Sequence, residues 1–286
     1  MSARCYKIES RAKDIEVQPA DRSDFATSAG RKCAPDLVLS APGWSPYCID
    51  AKLRELIFVR LPENVDLSLA AFYSVTQFRE AQELVAMPLD DLPGLCAALP
   101  EPKLILVFSI GRCGSTLVSH LLRQPGRVLS LSEPSVFDAT PFPGHQKPLR
   151  LSPDLLRHLA QLHLAAAKTT AGTLAVKFKS QSLFIADSYV TAFPDAKYVF
   201  LYRDALTWTN SFFQFLQGIG FPENMDRDSR AIHWNILTAE HPMDYLGRYV
   251  DLDADHVHLD RLQPVVWTLY LETYLRLLAH GVPWLA

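Results

Sequence analysis

Small and basic residues that could bind an anion directly follow an apolar run near the middle of the chain. Leu104–Phe108 has the apolar character and the length of a buried parallel strand, and the loop SIGRCGST covers residues 109–116. Gly111 and Gly114 would let the backbone turn its N–H groups towards an anion, at the positive end of a following helix. That helix is indicated by an apolar face made of Leu117, Val118, Leu121 and Leu122. Strand, glycine loop and helix in this order predict a phosphate-binding loop.

Three side chains of the loop could also bind an anion. The hydroxyls of Ser115 and Thr116 can donate hydrogen bonds to phosphate oxygens, and Arg112 supplies a permanent positive charge. The loop departs from the Walker A pattern G-x-x-x-x-G-K-[ST], because Ser115 stands where Lys is required and Ser109 where the first Gly is required. This departure argues against an ordinary ATPase or mononucleotide kinase. A plain glycine turn between a strand and a helix remains the alternative.

Strands and helices alternate from about residue 104 to residue 216, which predicts a parallel sheet with helices on both faces. Further strands are indicated at 128–132, 173–179 and 197–202, and a helix at SPDLLRHLAQLHLAAA begins with Ser152 as its N-cap. Ligands of such sheets bind at the carboxyl ends of the strands. Four charged residues follow these ends, and we expect them to meet at one edge: Arg112, Glu133, Lys177 and Arg203.

The residues before this alternating region form two further segments. Residues 1–45 are polar and weakly patterned, which predicts a loosely ordered leader. Residues 46–100 predict a small α+β extension, with a strand at Leu56–Val59 and helices over 67–78 and 79–84. We expect this extension to pack on the main domain, residues 101–286, and not to act as an independent binding module.

The composition of the 286 residues is that of a globular protein, with 49% hydrophobic and 21% charged residues. The formal net charge of −3 gives no electrostatic reason to expect nucleic acid as a partner. Five cysteines without a CxxC pair predict neither a disulfide framework nor a zinc site, and they indicate a reducing compartment. No apolar run approaches the ~18 residues of a membrane span. These features predict a cytoplasmic protein.

Two segments resemble the sulfotransferases that use 3′-phosphoadenosine 5′-phosphosulfate (PAPS). The first, RCGSTL at residues 112–117, is similar to their 5′-phosphosulfate loop, usually written [KR]-[ST]-G-[ST]-T. The second, YVFLYRDALTWTNS at residues 198–211, is similar to their 3′-phosphate element, in which a strand precedes Arg-Asp and a Ser lies eight residues after the Arg. FPDAK at residues 193–197 and Lys177 after its own strand also resemble the family. The resemblance covers about residues 100–216 and the helical stretch beyond them.

The resemblance implies a fold like that of P-loop nucleotide-binding proteins, PAPS as the co-substrate, an acceptor hydroxyl or amine, and no metal. Arg112 would hold the 5′-phosphosulfate and stabilise the leaving phosphate, whereas Arg203 and Ser211 would bind the 3′-phosphate. The complete set of implied nucleotide-binding residues is Gly111, Arg112, Cys113, Gly114, Ser115, Thr116, Arg203 and Ser211.

Glu133 and Lys177 join Arg112 as the catalytic candidates. Glu133 could accept the proton of the acceptor hydroxyl, or it could cap a helix or form a salt bridge with Arg112. His145 in the adjacent loop is the second candidate for the base. Lys177 could steady the sulfuryl group or pair with a carboxylate.

The chain departs from the family pattern at three places. Cys113 replaces a Ser or Thr, and Ala205–Thr207 replaces the proline or arginine run that often follows Arg-Asp. The residues after the long helix expected at 264–280 stop where a short strand and a basic loop would follow, which predicts a domain cut short at its C-terminus. Two alternatives therefore stay open: a catalytically impaired sulfotransferase-like scaffold, or a divergent P-loop kinase. The kinase would need an Asp at the end of an apolar strand to hold Mg²⁺.

Overall fold

An antiparallel sheet is built from the first ninety residues in this computed structural model, which describes residues 3–13, 19–138 and 151–285. Its strands are β1 (Arg4–Arg11), β2 (Phe25–Thr27), β3 (Arg31–Lys32), β4 (Trp44–Asp50), β5 (Glu55–Arg60) and β6 (Glu83–Pro88). The strand order is β2-β1-β6-β5-β4, and β3 pairs with β1. The four residues Leu56–Val59 of β5 are fully buried, because β5 lies inside the sheet and both of its faces are covered.

The expectation of a loosely ordered leader is wrong for the stretch that contains β1. This strand pairs with β6, some 80 residues further along the chain, so its main hydrogen-bond partner is not visible in local sequence. Only Cys5 of β1 is buried, and the strand therefore lacks the apolar alternation that sequence reading depends on. The helix expected over 79–84 is also wrong, because β6 begins at Glu83.

Helices and short 3₁₀ segments connect the strands. In the described residues the α-helices are α1 (Leu37–Ser40), α2 (Tyr73–Glu80), α3 (Leu92–Cys96), α4 (Ser115–Leu122), α5 (Pro153–Ala166), α6 (Ala186–Ala192), α7 (Ala205–Gly218), α8 (Arg227–Thr238), α9 (Met243–Leu246) and α10 (Leu259–Ala279). The 3₁₀ segments are Arg22–Asp24, Leu67–Leu69, Leu89–Asp91, Ser135–Phe137 and Ser180–Ile185. None of the helices in the described ranges is both long enough and apolar enough to cross a membrane.

A parallel sheet forms the second half of the fold. Its strands are β7 (Lys103–Ser109), β8 (Val128–Ser132), β9 (Thr173–Lys177), β10 (Lys197–Leu201) and β13 (Trp284–Leu285), and a separate two-stranded pair is formed by β11 (Asn224–Met225) and β12 (Val257–His258). The order of the parallel strands is β8-β9-β7-β10-β13. The mixed α/β architecture with a helix-flanked parallel sheet, predicted from the alternating pattern, is confirmed.

The central strand β7 marks the point where the direction of winding changes. After β7 the chain first builds β8 and β9 on one side, and it then crosses to β10 on the other side. Loops at such a switch point open a crevice outside the carboxyl ends of the strands, where ligands of α/β sheets bind. The loop that follows β7 is the predicted phosphate-binding loop.

The two sheets share one hydrophobic core. Trp44 and Phe58 of the antiparallel sheet belong to the same buried cluster as Phe108 of β7 and Phe137. Strand β4 packs against α5 and against the 3₁₀ segment Ser135–Phe137, which follows β8. The N-terminal extension is therefore packed on the main domain, against α5 and the segment that follows β8.

Helix α4 does not bury the face that its apolar pattern predicts. Leu117 and Leu121 are 63% and 70% exposed, whereas Ser119 is 4% exposed and its hydroxyl lies 2.9 Å from that of Ser130 on β8. Small polar residues face the sheet because they let the helix backbone approach β8 closely. The predicted burial of Leu117 and Leu121 is wrong.

Substitutions on the two faces of α4 should differ in their effect on the free energy of unfolding. Leu121→Gln should change the free energy of unfolding by less than about 0.5 kcal/mol, since the side chain is exposed. Ser119→Leu should destabilise the protein by about 1–3 kcal/mol through overpacking against β8. Urea unfolding of both variants measures this difference, and a larger loss for Leu121→Gln would contradict the orientation of the helix.

Candidate functional site

The loop between β7 and α4 holds three residues in the left-handed region. The φ angles are +73° at Gly111, +50° at Arg112 and +85° at Gly114. Such angles suit glycine, whereas a non-glycine residue such as Arg112 adopts them only where its surroundings enforce them. Gly114 is the N-cap of α4, so Ser115 and Thr116 form its first turn. The loop therefore leads into a helix N-terminus, where free N–H groups favour an anion.

Trp208 of α7 fixes the start of this loop. Its indole Nε1 donates to the carbonyl oxygens of Ile110 at 3.2 Å and Gly111 at 3.0 Å, and the side chain is fully buried. Glycine is needed at position 111 for a second reason, because a Cβ there would lie 2.9 Å from the hydroxyl oxygen of Ser180. The loop conformation is thus set by contacts from α7 on one side and from the segment after β9 on the other.

Two arginines and one serine meet beside the loop. Arg112 Nε donates to the hydroxyl of Ser211 at 3.3 Å, and the Arg112 guanidinium lies over the ring of Phe215 at 5.3 Å. Arg203, just past β10, donates to the carbonyl oxygen of Arg112 at 3.4 Å. Both arginine side chains are exposed. The structure therefore brings together Arg112, Arg203 and Ser211, which are far apart in sequence.

Arg203 is oriented by neighbours at the start of α7 and on α10. Its Nε donates to the hydroxyl of Thr207 at 3.0 Å, and Thr207 is in turn bonded to Asp204, the N-cap of α7. These hydrogen bonds from Thr207 lower the pKa of the Asp204 carboxyl below its usual value. Trp267 of α10 donates to the carbonyl oxygen of Arg203 at 2.9 Å. The backbone and the side chain of Arg203 are thus held separately.

Glu133 and Lys177 form a second arrangement at the ends of β8 and β9. Lys177 Nζ donates to Glu133 Oε1, with side-chain exposures of 5% and 17%, and Glu133 N donates to the Lys177 carbonyl oxygen at 2.7 Å. The ion-pair partner of Glu133 is Lys177 and not Arg112. The expected pairing of Lys177 with a carboxylate is therefore present, and the expected salt bridge between Glu133 and Arg112 is not. His145, the other candidate base, lies outside the described residues.

The remaining predicted site residues lie along the loop and its helix. The Cys113 thiol donates to the carbonyl oxygen of Leu201 at 3.5 Å, so it joins the loop to the end of β10. Ser115 is buried and Thr116 is half-buried. Sequence reasoning missed Trp208, Thr207 and Trp267 as parts of the site. The first two lie inside the segment that resembles the 3′-phosphate element, which was a usable signal, whereas Trp267 is marked only by the apolar helical pattern of its segment, which is typical of core or of a pocket wall.

The arrangement offers several donors that suit a ligand with anionic groups. Exposed arginines with planar guanidinium groups are suited to phosphate oxygens, and the loop offers backbone N–H donors at a helix N-terminus. Comparisons of this chain with protein-family models, with curated proteins and with solved structures found no match.

Removal of the Trp208 hydrogen bonds should loosen the loop selectively. Trp208→Phe keeps a large ring but loses both bonds to the Ile110 and Gly111 carbonyls, so we expect faster amide hydrogen exchange at residues 110–114 and a loss of about 1 kcal/mol in stability. Trp234→Phe is the matched control, because it loses one buried indole bond to His241 elsewhere in the fold. Equal rates of amide hydrogen exchange at residues 110–114 in both variants would show that the Trp208 hydrogen bonds do not hold the loop.

The buried ion pair gives a second prediction. Lys177→Met leaves Glu133 without its cation and should destabilise the protein by about 3 kcal/mol. The double variant Lys177→Met, Glu133→Leu should recover part of that loss, because no unpaired charge remains. The free energies of unfolding in urea of wild type, both single variants and the double variant form a double-mutant cycle. Additive losses would show that the two side chains are not coupled.

Proposed function

We propose that this chain is a PAPS-dependent sulfotransferase that moves a sulfuryl group to an acceptor hydroxyl or amine. The observation that carries the proposal is the meeting of Arg112, Arg203 and Ser211 beside a left-handed glycine loop at the carboxyl edge of a parallel sheet. The two segments that resemble the family contribute to one site, although they are about 90 residues apart. A chance likeness of either segment would not require this contact.

The charges at the site suit a nucleotide with anionic groups at both ends. The chain has a net charge of −3, so two neighbouring exposed arginines are a local feature and not a general property of its surface. Arg203 and Ser211 would bind a 3′-phosphate, the group that separates this co-substrate from ATP. Arg112, with the loop N–H groups and the hydroxyls of Ser115 and Thr116, would bind the 5′ end.

The strand order supports a P-loop-like fold as part of the same proposal. The loop follows the central strand β7, and β9 and β10 lie on its two sides. In α/β sheets this is the position from which a glycine loop and a helix N-terminus face a bound phosphate. The residues that would line the nucleotide site are Gly111, Arg112, Cys113, Gly114, Ser115, Thr116, Arg203 and Ser211.

The reaction needs positioning and charge neutralisation more than covalent chemistry from the protein. When bound, PAPS supplies a sulfuryl group whose bond to the 5′-phosphate oxygen breaks as a bond to the acceptor oxygen or nitrogen forms. Arg112 keeps its positive charge and would neutralise the negative charge that develops on the phosphate side. Glu133 would accept the acceptor's proton at Oε2, since Lys177 bonds to its Oε1 and fixes the carboxylate in place.

Calorimetry with the desulfated nucleotide, 3′-phosphoadenosine 5′-phosphate (PAP), tests the proposal. We expect PAP to bind with a micromolar Kd and ADP and ATP to bind much more weakly, because only PAP reaches Arg203 with a 3′-phosphate. Arg203→Ala should weaken PAP by at least about tenfold, as expected for a lost hydrogen bond to a charged group. Arg157→Ala is the control, because Arg157 is a half-buried residue of α5 that pairs locally with Asp154 at 2.9 Å.

Two results would count against the proposal. Tighter binding of ATP with Mg²⁺ than of PAP would favour the divergent kinase. Absence of binding for all three nucleotides would favour a sulfotransferase-like scaffold without a working nucleotide site.

A further inference from the structure

Two hydroxyl groups on one face of α7 each accept a hydrogen bond from an arginine of the candidate site. Thr207 accepts from Arg203 Nε at 3.0 Å, and Ser211 accepts from Arg112 Nε at 3.3 Å. The two hydroxyl residues are four positions apart, so they lie one helical turn apart on the same side of α7. The helix therefore holds both guanidinium groups by the same kind of contact.

The hydroxyl protons of these two residues are used differently. Thr207 donates its proton to Asp204 Oδ2, and Asp204, the N-cap of α7, also accepts from the Thr207 backbone N–H at 2.9 Å. Among the described residues the only hydrogen bond of the Ser211 hydroxyl is the one that it accepts from Arg112. A hydroxyl group has a single proton to donate. Ser211 can therefore donate to a phosphate oxygen, whereas Thr207 cannot do so without leaving Asp204.

The ionised carboxylate of Asp204 fixes the direction of the Thr207 hydroxyl. Hydrogen bonds from Thr207 lower the pKa of the Asp204 carboxyl, so at neutral pH this group is an acceptor only. With its proton directed to the carboxylate, the hydroxyl oxygen presents its lone pairs to Arg203 Nε. Carboxylate, hydroxyl and guanidinium thus form a chain in which each donor has an acceptor.

The bond to Thr207 decides which edge of the Arg203 guanidinium is free. Its Nε–H is used by Thr207, and one N–H of Nη1 is used by the carbonyl oxygen of Arg112 at 3.4 Å. In the described part of the chain, the donors that remain lie on Nη1 and Nη2, at the far end of the planar group. A phosphate that approaches this end can accept two parallel hydrogen bonds. Arg203 is exposed, so without Thr207 its long side chain would spread over many rotamers before a ligand binds.

We propose that Thr207 is the positioning residue for recognition of a 3′-phosphate: it holds Arg203 with the Nη1–Nη2 edge free, and it favours 3′-phosphorylated nucleotides without touching them. This inference rests on the proposed function. It gives a role to Ala205–Thr207, the segment in which the chain departs from the family pattern. When the nucleotide binds, Ser211 exchanges its contact with Arg112 for one with the phosphate, whereas Thr207 keeps its contact with Arg203.

Calorimetry of PAP binding to Thr207→Val tests the positioning role, because this variant keeps the shape of the side chain and removes the hydroxyl group. The Kd of PAP should rise about three- to tenfold, the cost of ordering one long side chain on binding. Thr207→Ser should return the Kd to within about twofold of wild type, since it restores the hydroxyl group.

Thr209→Val is the matched control, because it makes the same replacement on the same helix. Residues two positions apart do not share a helical face, so Thr209 lies off the face that carries Thr207. The control should leave the Kd of PAP unchanged.

A second set of variants separates positioning of Arg203 from a structural effect on α7. In an Arg203→Ala background, Thr207→Val should cause no further rise in the Kd of PAP, because the group that Thr207 holds is absent. The same fold-change in both backgrounds would show that Thr207 acts through the helix and not through Arg203.

Three outcomes overturn the inference while the proposed function stands: an unchanged Kd of PAP in Thr207→Val, failure of Thr207→Ser to restore the Kd, or an equal rise of the Kd with and without the Arg203 side chain. Failure of the wild-type chain to bind PAP is a different result, because it overturns the proposed function itself.

Discussion

The conformation of five backbone units between β7 and α4 is the constraint on which the rest of the site depends. Gly111, Arg112 and Gly114 are left-handed, and the buried Trp208 holds the first carbonyls of the loop. This conformation turns the backbone into α4 and places Arg112 against Ser211 of α7. If the loop relaxed, Arg112 would move relative to Arg203, which is held separately by Thr207 and Trp267. The strain at Arg112 is therefore tied to the position of its charge.

Charge neutralisation within the fold is the second feature that the site relies on. Lys177 and Glu133 are paired at the ends of neighbouring strands, and Lys179 and Asp138 follow them along the same edge. Buried pairs of this kind add little net stability, but loss of one partner leaves a costly unpaired charge. Lys13 and Asp24 form a further buried ion pair in the N-terminal half of the fold.

The sequence was sufficient to predict the parallel sheet flanked by helices, because apolar runs of strand length are local signals. It was not sufficient for β1, whose partner strand β6 is distant and whose exposed residues show no alternation. The burial of α4 was predicted on the wrong face, because close packing of Ser119 against Ser130 outweighs the tendency of leucines to be buried. The partner of Glu133 was also beyond local reading, since only the register of β8 and β9 places Lys177 beside it. Trp267 lies 64 residues from the carbonyl that it holds, a distance at which no motif could indicate the contact.

A crystal structure of the chain with bound PAP tests the central claim most directly. We predict that the 3′-phosphate lies against Arg203 and Ser211 and that the 5′-phosphate lies over the loop of residues 111–116, with Arg112 released from Ser211 to face it. A nucleotide bound away from the carboxyl edge of β7, or bound there with its 3′-phosphate pointing away from Arg203, would contradict the claim that these residues form one nucleotide site.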